Sequence, residues 1–383
     1  MRALFVSWED EMLALLERLV NIDSGTGHAE GIERIVDIIE PMLQELGLTT
    51  ERRPSPVGPH LVAYGPRSPQ VLLMGHIDTV FPPGTAAARP FRREGARAYG
   101  PGVIDMKSGI VSLLYVVKAL ARAGGLHRHV RIVVNADEEI SSIHSRPVIY
   151  EQARLCRAAF VFEPAQSMET LTTSRKGVGD LTLAITGKAA HAGAAIEDGL
   201  SAIEELARKI LALHALTDTK KGRSVNVGIV SGGTARNVVA ERATARVDLR
   251  FATKADGEAV LEQIRAVCRP SHPGYRVELT GGITRPPLER TAGIAALFEH
   301  MREAGRAFGV EFTETSSGGV SDANLIADAG VPVIDSLGPV GGRAHSDQEY
   351  LEVPTMALRA AVAAWAIGRW LRQAAGVTAD AAV

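Results

Sequence analysis

Apolar residues recur along this chain in two ways, as stripes at helical spacing and as short, wholly apolar runs of strand length. Over 7–20, Leu13, Leu16, Leu19 and Val20 mark one helix face. Over 31–46, Ile32, Ile35, Val36, Ile39, Leu43 and Leu46 mark a second, which Gly47 would stop. Strands are predicted over 49–52, 60–64 and 71–75, then a loop rich in Pro, Gly and Ala up to about residue 99, then a helix over 108–123 ended by Gly124 and Gly125. Residues 130–137 and 158–162 are again buried-type strands. From about 175 the texture changes to half-buried alternation at 180–186, 224–231, 243–251 and 275–280, with helices at 200–214 and 257–267. The tail predicts a helix over 291–308, a Gly/Ser-rich turn into a helix over 313–324, a strand over 331–335 and a terminal helix over 353–371.

This order predicts an α/β fold of two domains. The first, 1–174 with 287–383, is a doubly wound, mostly parallel sheet covered by helices. The second, 175–286, is an inserted α+β domain of four antiparallel strands and two helices.

Where the apolar strands end, acids and a histidine begin. The run Val71-Leu72-Leu73-Met74-Gly75 leads into His76 and Asp78, which lie two apart on extended backbone and so point the same way. The strand over 130–137 ends in Asp137-Glu138-Glu139, and that over 158–162 in Glu163. In open α/β sheets ligands bind outside the carboxyl ends of the strands. Asp105 lies among glycines where a loop enters a helix, a place that also suits a helix cap. His345 sits in a glycine-rich loop near the C-terminus. Histidines and carboxylates without nearby cysteines suit a catalytic rather than a structural zinc site, and paired zinc sites share a bridging carboxylate.

Composition narrows the classes. The 383 residues are 46% hydrophobic and 22% charged, with a formal net charge of -2. Such a balance predicts a globular protein with no nucleic-acid partner and no membrane association. Cys156 and Cys268 are too far apart for a metal-type spacing and read as reduced thiols. Trp8-Glu9-Asp10-Glu11 interrupts the apolar opening before it reaches secretory length, so the expected compartment is the cytoplasm.

Six ordered motifs carry a resemblance that runs nearly end to end. They are Gly75-His76-Ile77-Asp78-Thr79-Val80, Gly100-Pro101-Gly102-Val103-Ile104-Asp105-Met106-Lys107, Asp137-Glu138-Glu139, Phe162-Glu163-Pro164, Gly187-Lys188-Ala189-Ala190-His191-Ala192-Gly193 and His345-Ser346-Asp347. Together they resemble the M20 family of dinuclear zinc peptidases and deacylases. The resemblance implies two Zn2+ ions per chain, with Co2+ or Mn2+ as substitutes. Asp105 would bridge them, His76 and Glu163 would hold one, and Glu139 and His345 the other. Asp78 would orient His76. Glu138 would act as general base for a hydroxide bridging the metals, then as proton donor to the leaving amine.

The inserted domain resembles the family's dimerisation domain, which implies a homodimer in which His191 polarises the oxyanion in the partner's site. A polar loop histidine is the plain alternative. Arg250, with Asn237, resembles the group that binds a substrate α-carboxylate, a task suited to a bidentate guanidinium. Arg285 is a further candidate, or else part of a solvated face. Gly318 and Gly319 resemble the backbone turn that receives substrate. Ser141 and Ser142 stand where a glycine is more usual, and the lysine of glutamate-selective members has no clear counterpart, Arg175 or Lys176 being substitutes. The implied activity is glutamate carboxypeptidase-like release of a C-terminal amino acid. The alternatives are an N-acyl-amino-acid deacylase of the acetylornithine deacetylase or aminoacylase kind, and a non-catalytic dimer that binds amino-acid derivatives.

Overall fold

The apolar runs become the inner strands of a sheet in the computed structural model, which describes residues 1–68 and 70–375. Contacts divide the chain into two units. Unit one comprises Met1–Ser174, Arg290–Ser316 and the chain from Ser321 on, and unit two comprises Arg175–Glu289 with Ser317–Val320.

Unit one is built on strands β1 (Thr49–Arg53), β2 (His60–Tyr64), β3 (Val71–His76), β4 (Val130–Asn135) and β5 (Ala158–Val161), with the short strand Val333–Ile334 at the far edge. Their order is β1-β2-β4-β3-β5 followed by 333–334. β3 runs parallel to both β4 and β5, while β1 pairs antiparallel to β2 and β2 antiparallel to β4, so the sheet is mixed. All six residues of β3 are buried, as a central strand covered on both faces requires. Helix Ser108–Arg122 packs against it, and a Cβ at Gly109 would come within 2.1 Å of the Phe162 carbonyl oxygen, so only glycine lets the helix lie that close. Helix Val353–Ala375 packs on the same helix and completes the core.

Two expectations about this unit change. The segment after Asp78 is not a plain loop: it contains helix Thr85–Ala88 and a hairpin, Arg92–Glu94 with Arg97–Tyr99. Thr313–Ser317, expected as a turn, is a strand paired with Thr170–Arg175. Its Thr, Glu and Ser residues give no apolar alternation, so nothing in its periodicity marks a strand.

Unit two is a four-stranded antiparallel sheet of β6 (Gly177–Thr186), β7 (Ser224–Gly232), β8 (Arg242–Phe251) and β9 (Arg276–Arg285) in the order β7-β8-β6-β9. Helices Ala202–His214 and Lys254–Val267 cover one face. Each begins at a side-chain cap, Ser201 accepting from the Glu204 N–H and Thr253 from the Asp256 N–H. Leu181, Leu183 and Ile185 alternate into the core against Leu206, Leu213, Val260 and Ile264. β7 is an edge strand whose second half is exposed.

Candidate active site

β3 ends at His76, and the backbone beyond it turns back on that side chain. His76 Nδ1 lies 3.0 Å from the Asp78 carbonyl oxygen and 3.4 Å from its carboxylate, which places the ring proton on Nδ1 and frees Nε2 as a donor to a cation. The Asp78 carboxylate is fully buried and serves other groups as well. It accepts the Glu138 N–H at 3.1 Å, the Glu139 N–H at 3.2 Å and the Thr26 hydroxyl at 2.7 Å. Asp78 therefore ties the tip of β3 to the turn that follows β4.

That turn, Glu138–Ile140, is a single 3-10 turn. It closes through Ser141 and Ser142 at φ of 73° and 52°. This is the left-handed region that favours glycine, which is where the sequence departs from the family pattern. Hydrogen bonds hold Ser142 there: its N–H donates to the Asp137 carbonyl at 2.7 Å and its hydroxyl to the buried Asp322 carboxylate.

Asp105 stands at the centre. The segment Val103–Lys107 is a tight turn in which Asp105 itself has non-helical angles, φ -113° and ψ 96°. The helix that follows has Lys107 at its N-cap with no side-chain cap bond, so Asp105 does not serve as a cap. Its two oxygens face opposite ways. Oδ1 is 3.3 Å from His76 Nε2, and Oδ2 is 3.2 Å from His345 Nε2. Glu163, at the end of β5, lies 3.7 Å from His76 Nε2. Glu139 lies 3.2 Å from His345 Nε2. All five predicted ligand residues thus come together, as His76 with Glu163 and His345 with Glu139, on either side of Asp105.

The donor set fits divalent cations. Two atoms each bonded at about 2.1 Å to one tetrahedral ion lie roughly 3.4 Å apart, the spacing seen here. His76, Asp105 and Glu139 offer ligand atoms that all lie within 4.8 Å of one another. Glu139 also keeps one buried carboxylate oxygen with no hydrogen-bond partner among the described residues, as a ligand atom would.

Charge points the same way. Burial alone would lower His76, but Asp105, Asp78 and Glu163 outweigh it and hold the imidazole well above its ordinary range. Hydrogen bonds to Asp105 and Glu139 raise His345 to about 10. Glu163 is pushed well up, by burial first and then by Asp105 and Glu138. So many carboxylates in one place call for positive charge, which divalent cations would supply.

Two buried ionisable groups next to this centre were not foreseen. Glu349 accepts the N–H groups of Gly102, Ile104 and Asp105 at 3.1, 2.9 and 3.1 Å, and burial raises it to about 7. Lys107 is lowered to about 7 by burial and donates to the Ile22 carbonyl at 2.9 Å. Both acids and lysines are common in loops, so residue type and spacing carried no signal for either.

The remaining candidates lie in unit two. His191 is exposed, and its Nδ1 accepts the Gly193 N–H at 3.2 Å, which leaves the ring proton on Nε2. Its loop is bridged to that of Asn237, whose carbonyl accepts the Ala192 N–H at 2.9 Å. Arg250, on β8, is paired with Asp248 through Nε at 3.0 Å and Nη2 at 2.9 Å. Arg285 is fully buried rather than on a solvated face. Gly318 and Gly319 form an exposed turn that Arg175 holds by donating to the Gly319 carbonyl at 3.3 Å.

Comparison with known proteins gives a consistent set of relatives. Residues 72–368 match the model of Peptidase family M20/M25/M40. The chain is 35% identical over 379 residues to carboxypeptidase G2 of Pseudomonas sp. (strain RS-16), covering 94% of this chain and 90% of that protein. It is 27% identical to a succinyl-diaminopimelate desuccinylase of Maricaulis maris, over 83% of this chain and 86% of the other. A tripeptidase structure from Staphylococcus aureus superposes with a TM-score of 0.81 at 22% identity, covering 95% and 99% of the two chains, and so shares the fold.

Proposed function

As a member of peptidase family M20/M25/M40 this chain is a hydrolase of amide bonds, and we propose that it is a dinuclear zinc enzyme releasing a C-terminal amino acid, as a glutamate carboxypeptidase does. The observation that carries this reading is Asp105, whose two oxygens face two separate histidine–carboxylate pairs. His76 and Glu163 would hold one ion, His345 and Glu139 the other, and Asp105 both. When bound, such a pair of ions lowers the pKa of water and polarises the scissile carbonyl. Glu138 takes the proton from the attacking water and delivers it to the leaving amine nitrogen. Asp78 fixes Glu138 and Glu139 by their backbone N–H groups, so base and ligand keep their positions as charge moves.

His191, with its proton on Nε2, is the donor to the carbonyl oxygen as that oxygen gains charge, and it acts in a partner's site within a homodimer. The exposed edge strand β7, with Ile229 at 64% and Val230 at 55% exposure, supports a partner for that unit. Arg250 and Asn237 bind the free α-carboxylate of the substrate, and Gly318 and Gly319 offer backbone to it. Carboxypeptidase G2 is the relative at 35% identity, which favours a C-terminal glutamate. A deacylase acting on N-acyl amino acids is the second reading, favoured by the desuccinylase relative.

A panel of folate-type glutamyl amides, N-acetyl amino acids and N-succinyl diamino acids, run with zinc or cobalt, tests the substrate reading. Turnover of glutamyl amides at least tenfold above the acylated amino acids is expected; the reverse order selects the deacylase. Metal analysis of the reconstituted protein is expected to find two divalent ions per chain, and one or none overturns the dinuclear reading.

A further inference from the structure

We infer that Glu349 is a positioning residue of the hydrolytic centre: its buried carboxylate clamps the backbone of the 102–105 segment and thereby aims Asp105 between His76 and His345. The inference rests on the reading of Asp105 as the bridging ligand. Backbone N–H groups in a turn without regular partners need acceptors, and buried ones that lack them are destabilising. Gly102 adopts φ +70°, and Asp105 and Met106 depart from helical angles, so this segment cannot satisfy itself as a helix would. Glu349 supplies both oxygens: Oε2 takes Gly102 N–H, and Oε1 takes the N–H groups of Ile104 and Asp105.

A water or a serine could satisfy one such group; a carboxylate 1% exposed is a costly way to do so unless three donors converge on it. The bond to the Asp105 N–H is the informative one. It fixes the peptide plane from which the Asp105 side chain departs, and so the direction of the two oxygens.

The placement of Glu349 in the chain adds a link. It follows His345 by four residues, and its own N–H donates to the Ser346 carbonyl at 3.3 Å. Directly after it, Tyr350–Glu352 pairs with both Gly341–Gly342 and Arg97–Tyr99. His345 itself has a half-exposed side chain and a φ of 64°. One short segment therefore presents His345 and, from its anchored end, sets Asp105. The two ligand loops keep a fixed separation because Glu349 joins them.

The experiment compares wild type, Glu349→Gln, Glu349→Asp, Glu349→Ala and Asp105→Asn as full chains titrated with Co2+. It reads affinity by equilibrium dialysis, the visible d–d absorption, and kcat and KM separately. Glu349→Gln is near-isosteric and keeps the test alive if the alanine variant does not fold. Loss of an outer partner of a ligand costs about 10–100-fold in metal affinity or activity. We expect Glu349→Gln to weaken Co2+ binding at least tenfold, alter the absorption band and lower kcat with KM within threefold, and Glu349→Asp, which keeps a carboxyl group, to recover part of both. Wild-type affinity and band in Glu349→Gln, with Asp105→Asn impaired, would overturn the inference alone. Two ions bound normally by Asp105→Asn would overturn the bridging reading on which it rests.

Discussion

Unit one and unit two each carry proposed functional side chains, but they hold them differently. In unit one, four segments far apart in sequence converge on Asp105, and hydrogen bonds between segments hold the centre: Asp78 to the 138–139 turn, Glu349 to the 102–105 turn. In unit two, His191 and Arg250 are at least partly exposed and their partners are local, Gly193 two residues on and Asp248 two residues back. A centre that must hold ions at bond distance is organised by the fold before any ligand arrives. The groups proposed to read a substrate lie at the surface on short tethers, where a ligand can replace the neighbour: in that proposal a substrate carboxylate would take the place of Asp248 on Arg250.

Four changes would break or sharpen that contrast. Glu138→Ala should have the largest effect, lowering kcat about 10³-fold, within the range of general acid–base contributions, while the protein still binds its metal. Unchanged turnover would remove Glu138 as the base. Asp78→Ala should strike unit one as a whole. It strands the N–H groups of Glu138 and Glu139 and the Thr26 hydroxyl, and a loss of about 2–4 kcal/mol in denaturant stability is expected, together with weaker metal binding. A stability within about 0.5 kcal/mol of wild type would mean that Asp78 does not organise the site.

Arg250→Ala should act in unit two only, raising KM about 10–100-fold, the equivalent of a lost charged hydrogen-bond pair, with metal content unchanged. If kcat falls instead and KM holds, the arginine serves the transition state rather than binding. The smallest effect concerns pH, and it involves none of the proposed ligands. His60, His127 and His300 are held below their ordinary range, chiefly by burial. Because the folded protein takes up these protons less readily than the unfolded chain, the contribution of these three histidines to stability should be full above about pH 6.5 and be lost as pH drops below it. His127→Gln should flatten that slope in urea titrations between about pH 7 and 5; an unchanged slope would assign the effect to other groups.

Much of this was legible in the amino-acid order. A helix stripe such as Ile32, Ile35, Val36 and Ile39 can be buried only one way, and all four are buried. A wholly apolar strand such as β3 must be central, so its polar terminus, His76, must lie at a sheet edge where ligands bind. The candidate ligands His76, Glu139 and Glu163 stood out for the same reason, since acids and histidines rarely follow buried strands unless something there requires them. Strand Thr313–Ser317 was not legible, because polar residues paired at an edge carry no periodicity.

What only the tertiary structure decided is which backbone groups needed partners and which side chains supplied them. Glu349 and Lys107 look like surface residues in the sequence and are buried beside Asp105. Ser141 and Ser142 look like a neutral departure and turn out to occupy left-handed backbone, with Ser142 fastened to Asp322, 180 residues on. Arg285 could be exposed or buried on the evidence of its strand, and is buried. Residue type and spacing encode local conformation and the hydrophobic face. The hydrogen-bond needs of an irregular turn, and the distant carboxylate that meets them, are properties of the folded backbone and have no local signature.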